Sequence, residues 1–179
     1  IDQDDYVNED TEVSANNLLQ VAKHSWDGRK IGYVNKTGKI VISPRFMNAG
    51  YFHEGLASAQ VGDREAAKWG FIDESGDFKI PPKFGTARNF RNGAAIVEVE
   101  GLTGLIDKTG NYIVKPSLRN ISELGSNFLG VTLRGKVGIL SPSGKWLLPP
   151  EHIRIYDFKE ERGRVSSHPD GLLRNPFYY

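Results

Sequence analysis

One stretch of this chain returns three more times, and this internal repetition constrains the fold more than any other feature. The stretch from Ile31 to Phe46 reads IGYVNKTGKIVISPRF, and it returns as WGFIDESGDFKIPPKF, TGLIDKTGNYIVKPSL and VGILSPSGKWLLPPEH. The glycines that end the four polar clusters are 38, 34 and 34 residues apart, at Gly38, Gly76, Gly110 and Gly144. Such a period is typical of tandem-repeat architectures, in which each unit buries apolar surface against its neighbours.

Each copy has the pattern of a β-hairpin. Two apolar residues, such as Phe71 and Ile72, precede a polar turn that begins with Asn, Asp or Ser and ends with Gly, which is the composition of a tight hairpin turn. Apolar residues follow two and four places after the glycine, and same-parity residues of a strand face the same way. We therefore predict one buried stripe across the array, made of Ile40, Ile42, Phe78, Ile80, Tyr112, Val114, Trp146 and Leu148.

A proline lies six residues after every turn glycine. These prolines are Pro44, Pro82, Pro116 and Pro150. Because proline has no backbone N–H to donate, we expect the second strand of each hairpin to end there or to lie at a sheet edge.

A third apolar segment follows each of the first three hairpins, at residues 56–61, 94–99 and 128–133. Each is preceded by a residue that tolerates left-handed backbone geometry, namely Gly55, Gly93 or Asn127. We interpret these segments as third strands. The apolar residues three places earlier, with the equivalent residue of the fourth copy, are predicted to plug the space between units: Phe52, Phe90, Leu124 and Phe158.

The repeats predict an all-β fold, a tandem array of about four three-stranded units with little helix. The units lie near residues 31–61, 69–99, 103–133 and 137–167, and a partial unit at 17–22 precedes them. An open array is the preferred arrangement, and a closed propeller-like ring is the alternative. Pairing of the strand at 17–22 with the first unit alone indicates the open array, whereas pairing with the fourth unit indicates the ring.

The chain divides into three regions. Residues 17–165 form the β-repeat domain, and residues 166–179 form a C-terminal tail whose aromatic end is interpreted as a cap on the array. Residues 1–16 are an acidic leader, expected to be solvated and flexible. Residues 1–22 carry six acidic side chains and no Lys or Arg, and the whole chain has a net charge of +1, which leaves about +7 on the remainder.

The copy from Trp69 to Phe84, continued by Phe90 and Gly93, resembles the bacterial WG-containing repeat. The resemblance extends over residues 17–165, although Trp is replaced by Ile31, Thr103 and Val137 in the other copies. It implies a tandem β array, often joined to other domains, and a binding or scaffold role. It implies no catalytic apparatus.

The sequence predicts no catalytic, cofactor or metal site, and it assigns no binding residues. The chain has no cysteine, its four histidines form no pair at metal-ligand spacing, and no glycine-rich phosphate-binding motif occurs. One carboxylate pair, Glu98 and Glu100, lies on one face of a predicted strand. We interpret the pair as part of a solvated polar face rather than as an acid and a base.

Charge and hydropathy limit the partners and the location. Arg45 and Lys83 recur at one repeat position, but Ser117 and Glu151 replace them later, so strong nucleic-acid binding is not expected. No apolar run reaches the roughly 18 residues that span a bilayer.

The chain begins at Ile1 without a signal-like leader, which indicates a processed mature protein or a fragment of a larger chain. A secreted or periplasmic location is favoured, with the cytoplasm as the alternative.

The function predicted from the sequence is a non-catalytic binding or scaffold module that presents a repeated β surface to a protein or a cell-surface polymer. The alternative is an accessory or targeting domain of a larger secreted enzyme or toxin.

Overall fold

A computed structural model describes residues 5–7, 18–25, 28–63, 66–124, 128–152, 154–159 and 162–166. Residues 5–7, 25, 152, 154–159 and 162–166 are described by their backbone. The described residues form strands and turns without any helix. A membrane-spanning helix is accordingly not found among them.

The strands form five antiparallel sheets, and within each sheet every strand pairs with the next one in the chain. Sheet 1 contains β1 (Asp5–Val7), β2 (Leu19–Ser25), β3 (Gly28–Val34) and β4 (Ile40–Phe46). Sheet 2 contains β5 (Asn48–Ala49), β6 (Ala57–Val61), β7 (Lys68–Ile72) and β8 (Phe78–Phe84). Sheet 3 contains β9 (Thr86–Ala87), β10 (Ala94–Val99), β11 (Leu102–Asp107) and β12 (Tyr112–Leu118). Sheet 4 contains β13 (Asn120–Leu124), β14 (Phe128–Leu133), β15 (Lys136–Leu140) and β16 (Trp146–His152). Sheet 5 contains β17 (Arg154–Lys159) and β18 (Arg162–Ser166).

Each complete sheet combines strands from two consecutive sequence units. The predicted third strand does form, but it pairs with the hairpin of the following unit, as Ala59 of β6 pairs with Gly70 of β7. The same rule applies at the start of the array, where the partial unit forms β2 and pairs with β3 of the first unit. The described strands show no pairing between β2 and the fourth unit. The pairing of the described strands confirms the open array and shows no closed ring among them.

Part of the acidic leader belongs to the first sheet. Asp5–Val7 forms β1 and pairs with β2, with Asp5 opposite Lys23. This edge position is the one that β5, β9 and β13 occupy in the later sheets. These three residues therefore pair along the edge of β2, and the flexible leader stays a prediction for residues 1–16. The remainder of residues 1–16, and the tail beyond Ser166, lie outside the described residues.

Consecutive sheets overlap by about half their width. In the overlap between sheets 2 and 3, β9 lies against β7 and β10 lies against β8. Each of the three apolar cores is shared by two consecutive sheets, so the first core joins Ile42 and Phe46 of sheet 1 to Ala59 and Ile72 of sheet 2. No unit buries its apolar surface alone, which is the energetic reason for the array.

Two of the predicted plug residues, Phe52 and Phe90, lie in these shared cores. Phe52 packs against Tyr33 with ring centroids 4.9 Å apart, and Phe90 packs against Phe71 at 4.7 Å. Both phenylalanines are 1% exposed, which confirms the prediction for these two residues. Leu124 is half-buried, and the side chain of Phe158 lies outside the described part of the chain.

Candidate interaction surface

The second strand of each hairpin is the edge strand of its sheet, as the prolines predict. These strands are β4, β8, β12 and β16, called the outer strands below. They do not end at the proline, since β8 continues past Pro82 to Phe84. Phe71 pairs with Ile80 and Trp69 pairs with Phe84, so two steps along β7 correspond to four along β8. The proline therefore lies in a bulge, where no ladder hydrogen bond is lost.

A second irregularity, next to the turn, decides which side chains are buried. Tyr33 pairs with Ile42, whereas its neighbour Val34 pairs with Ile40. Tyr33 and Val34 are adjacent and face opposite sides of the sheet, so Ile42 and Ile40 do not share one buried face. The extra residue in the outer strand breaks the simple alternation.

The predicted buried stripe is consequently wrong for three of its eight members, which are exposed. Ile42 and Ile80 are 3% and 1% exposed, as predicted. Ile40, Tyr112 and Trp146 are instead exposed, at 47%, 39% and 38%. Phe78, Val114 and Leu148 are half-buried. The sequence does contain a signal for this outcome, because three consecutive apolar residues on a strand, as at 40–42 and 146–148, cannot all face one core.

Exposed apolar side chains concentrate on the outer strands. Six large apolar residues of the described chain are exposed, and five of them lie on outer strands: Ile40, Val41, Tyr112, Trp146 and Leu147. The sixth, Leu102, begins β11. We call the exposed residues of the four outer strands the outer-strand face.

Basic side chains lie on the same face and are held at the junctions between sheets. The guanidinium carbon of Arg45 lies 5.2 Å from the ring centroid of Phe46, and Nη2 of Arg45 donates to the carbonyl oxygen of Gly76 at 2.6 Å. Nζ of Lys83 lies 5.2 Å from the ring centroid of Phe84 and 5.8 Å from that of Tyr112. Each cation therefore contacts its own sheet and the next one, and cation–π attraction favours these positions.

Positive charge outweighs negative charge on the outer strands. Four basic residues lie on them, at Arg45, Lys79, Lys83 and Lys115, against one acidic residue, Glu151. Lys79 forms an ion pair with Asp73 at 3.1 Å. Arg45, Lys83 and Lys115 are exposed, and none of them pairs with a carboxylate of the described residues. The other carboxylates of the described residues lie in turns or on strands other than the outer strands.

The carboxylate pair considered from the sequence does not share a strand face. Glu98 lies on β10, but β10 ends at Val99, and Glu100 lies in the following turn with a φ of 52°. Side chains alternate between the two faces of a sheet only within a strand. Because Glu100 lies in a turn, the prediction that it shares a face with Glu98 is wrong. No group of three His, Asp or Glu side chains in the described part of the chain is arranged to hold a metal ion.

The described residues contain a small cavity, and it lies away from the outer-strand face. Its volume is about 30 Å³, and Ala94, Ile96 and Leu129 contribute to its lining. Arg91 and Glu123 lie beside it and form an ion pair at 3.4 Å. A space of this size holds about one water molecule. The outer-strand face is therefore the candidate site, as an exposed surface rather than a pocket.

Comparison with known families gives one match. Residues 31–64 and residues 69–102 each match the family model described as WG containing repeat. The second match begins at Trp69 and Gly70, and Trp69 is half-buried against the second apolar core. A comparison with curated proteins finds no match.

Proposed function

Because residues 31–64 and 69–102 match the WG containing repeat model, we propose that the chain is a non-catalytic binding module. In this proposal the outer-strand face binds a protein or a cell-surface polymer. The observation that carries the proposal is the concentration of exposed apolar side chains on the outer strands. Single exposed apolar residues are ordinary on protein surfaces, whereas their accumulation on equivalent strands of a repeat array is typical of interaction sites.

The repeated register supports a ligand with several contacts. Ile40, Tyr112 and Trp146 occupy one position, two residues after the turn glycine, in three different hairpins. Contacts at equivalent positions of linked units reinforce one another, because the first contact raises the local concentration of ligand at the next. The same surface would serve a targeting role in a longer protein.

The test compares two exposed aromatic residues with an exposed apolar residue elsewhere. A variant carrying Tyr112→Ser and Trp146→Ser removes two rings of the outer-strand face, and Leu102→Ser removes a side chain of similar exposure from β11. We expect both variants to keep the β-sheet circular dichroism spectrum. Retention of the chain on immobilised proteins and on insoluble polymers is then measured, and only the double variant is expected to lose it.

Two results would contradict the proposal. One is equal retention of the double variant and Leu102→Ser by every ligand that retains the wild type. The other is a measured turnover that Glu98→Gln or Glu100→Gln abolishes without unfolding the chain, because that result would make the chain an enzyme.

A further inference from the structure

The charge of the outer-strand face indicates one class of ligand. We propose that this face binds an acidic polysaccharide, with Arg45 and Lys83 pairing with carboxylates of successive segments of the polymer. The inference rests on the proposed binding function and adds to it the chemistry of the ligand.

The two cations are exposed, fixed in place and without an acidic partner among the described residues. Arg45 is held by the ring of Phe46 and by the carbonyl oxygen of Gly76, and Lys83 is held between the rings of Phe84 and Tyr112. Neither pairs with a carboxylate of the described chain, whereas Lys79, Arg91 and Lys108 each do. A cation ordered in this way loses less conformational freedom when an anion binds.

The two cations also recur with the period of the repeat. Arg45 and Lys83 both lie seven residues after a turn glycine, so they occupy the same position in two consecutive hairpins. Each also lies where its own sheet meets the next sheet. Two cations at equivalent positions of consecutive hairpins match a polymer whose anions recur along its length.

Aromatic rings lie on the same outer-strand face as the two cations. The exposed rings of Tyr112 and Trp146 offer π surfaces at one repeat position. The C–H groups on one face of a sugar ring are weakly positive, and they stack against the negative face of an aromatic ring. Lys83 lies within 5.8 Å of the Tyr112 ring centroid, so one sugar can contact the ring while its carboxylate reaches the ammonium group.

Two other acidic polymers fit the surface less well. Nucleic-acid binding depends on the neutralisation of many phosphates, and the outer strands carry only four basic residues against one acidic residue. An acidic protein needs pockets for its anchor side chains. The cavity of about 30 Å³ found in the described residues lies beside Arg91 and Glu123, away from the outer strands.

The experiment measures binding of the full chain to four defined polymers by biolayer interferometry. The probes are polygalacturonate, which has one carboxylate on each sugar, neutral dextran, poly-L-glutamate and oligo(dT). We expect polygalacturonate to bind most tightly and its affinity to fall as salt is added. Tighter binding of poly-L-glutamate or oligo(dT) overturns the proposal in favour of a protein or nucleic-acid ligand, and failure to bind polygalacturonate overturns it outright.

Charge-matched variants identify the contacts. One double variant carries Arg45→Gln together with Lys83→Gln. The control double variant carries Lys68→Gln together with Lys136→Gln, and it removes two exposed lysines from equivalent positions of β7 and β15. We expect the first variant to lose about three- to tenfold in affinity for polygalacturonate, since each exposed ion pair contributes at most a few-fold. Its salt dependence should also become shallower, and the second variant should lose less than twofold. Equal losses in the two variants overturn the assignment, because they indicate a response to net charge alone.

The outcomes separate this inference from the broader proposal. In one outcome, dextran binds as well as polygalacturonate. The double variant Tyr112→Ser, Trp146→Ser weakens the binding of both polymers, and the double variant Arg45→Gln, Lys83→Gln weakens the binding of neither. This outcome supports the binding module and shows that the proposal of an acidic ligand is wrong. If no polymer and no protein is retained through Tyr112 and Trp146, the proposed function itself fails.

Discussion

Pro82 crosses directly over Gly70. A Cβ atom on Gly70 would lie 2.8 Å from the backbone nitrogen of Pro82 and 2.5 Å from the carbonyl oxygen of Ile80. The same relationship recurs in the other three hairpins, at Gly32 and Pro44, Gly104 and Pro116, and Gly138 and Pro150. In each hairpin the proline follows the glycine by twelve residues. The glycine of the Trp-Gly pair is therefore required by the bulged outer strand that passes over it.

We expect Gly70→Ala to destabilise the chain by about 2–3 kcal/mol, because the methyl group meets backbone atoms that can only move with the strand. The matched control is Gly85→Ala, where the nearest atom to an added Cβ lies at 3.5 Å. Urea denaturation followed by circular dichroism measures both variants. Equal midpoints would show that β8 can shift away from Gly70 at no cost.

Phe90 seals the junction between sheets 2 and 3. Its side chain is 1% exposed and packs against Phe71. Phe90→Ala should therefore lower the free energy of unfolding by about 3–5 kcal/mol. Phe78 is half-buried, and Phe78→Ala should cost clearly less, because less apolar area returns to water on unfolding of the wild type. Urea unfolding of the two variants provides the comparison, and a larger loss for Phe78→Ala would contradict the assignment of Phe90 as the plug.

The hydroxyl group of Tyr33 links sheet 1 to the loop before β6. It donates to the carbonyl oxygen of Gly50 at 2.6 Å, and burial raises the pKa of Tyr33 above its usual range. Phe71 occupies the equivalent position in the next unit, so this position accepts a phenylalanine ring. Tyr33→Phe should therefore lose mainly the hydrogen bond, at a cost of about 1–2 kcal/mol.

Tyr112→Phe is the control for that prediction, since Tyr112 is exposed and its hydroxyl group can bond to water. We expect its midpoint of thermal unfolding to match that of the wild type. A Tyr33→Phe variant that also melts like the wild type would contradict a stabilising role for the bond to Gly50.

The turn that begins at Asp73 should make stability depend on pH. The hydroxyl group of Ser75 donates to the carboxylate at 2.5 Å and is the main cause that lowers the pKa of Asp73 to about 2. Because the pKa is lower in the folded chain than the usual 3.8, the carboxylate stabilises the fold fully at a pH above 3.8. This stabilisation is lost as the pH falls towards 2.

The first turn has Asn35 at the position of Asp73, so Asp73→Asn is a test of the pH dependence. The amide oxygen of Asn35 accepts from the backbone N–H groups of Thr37 and Lys39, both at 3.0 Å, as the carboxylate of Asp73 does from Ser75 and Asp77. Asp73→Asn should therefore keep the turn and remove its pH dependence. Urea midpoints are measured across the acid range, and the advantage of the wild type over Asp73→Asn should shrink as the pH falls. An advantage that stays constant with pH would contradict the prediction.

The turns and the plugs were predictable because they depend on local chemistry. A left-handed turn glycine follows from backbone sterics at one position, and Gly38, Gly76, Gly110 and Gly144 all have a positive φ, between 77° and 89°. The burial of Phe52 and Phe90 follows from apolar residues repeated in phase. The outer-strand face was not predicted, because the two irregularities in each hairpin shift the register, and one shifted residue moves a side chain to the other face.

By itself, the sequence determined the repeat, its period, the hairpins, the turn glycines and the all-β class, since each of these depends on the order of residues within one unit. The tertiary structure decided which strands share a sheet, so that the third strand of one unit pairs with the hairpin of the next. It also decided that Ile40, Tyr112 and Trp146 face outward and that Arg45 and Lys83 lie at the junctions between sheets. The physical reason is that burial is set between units, by how one sheet lies against the next, and no single repeat contains that information.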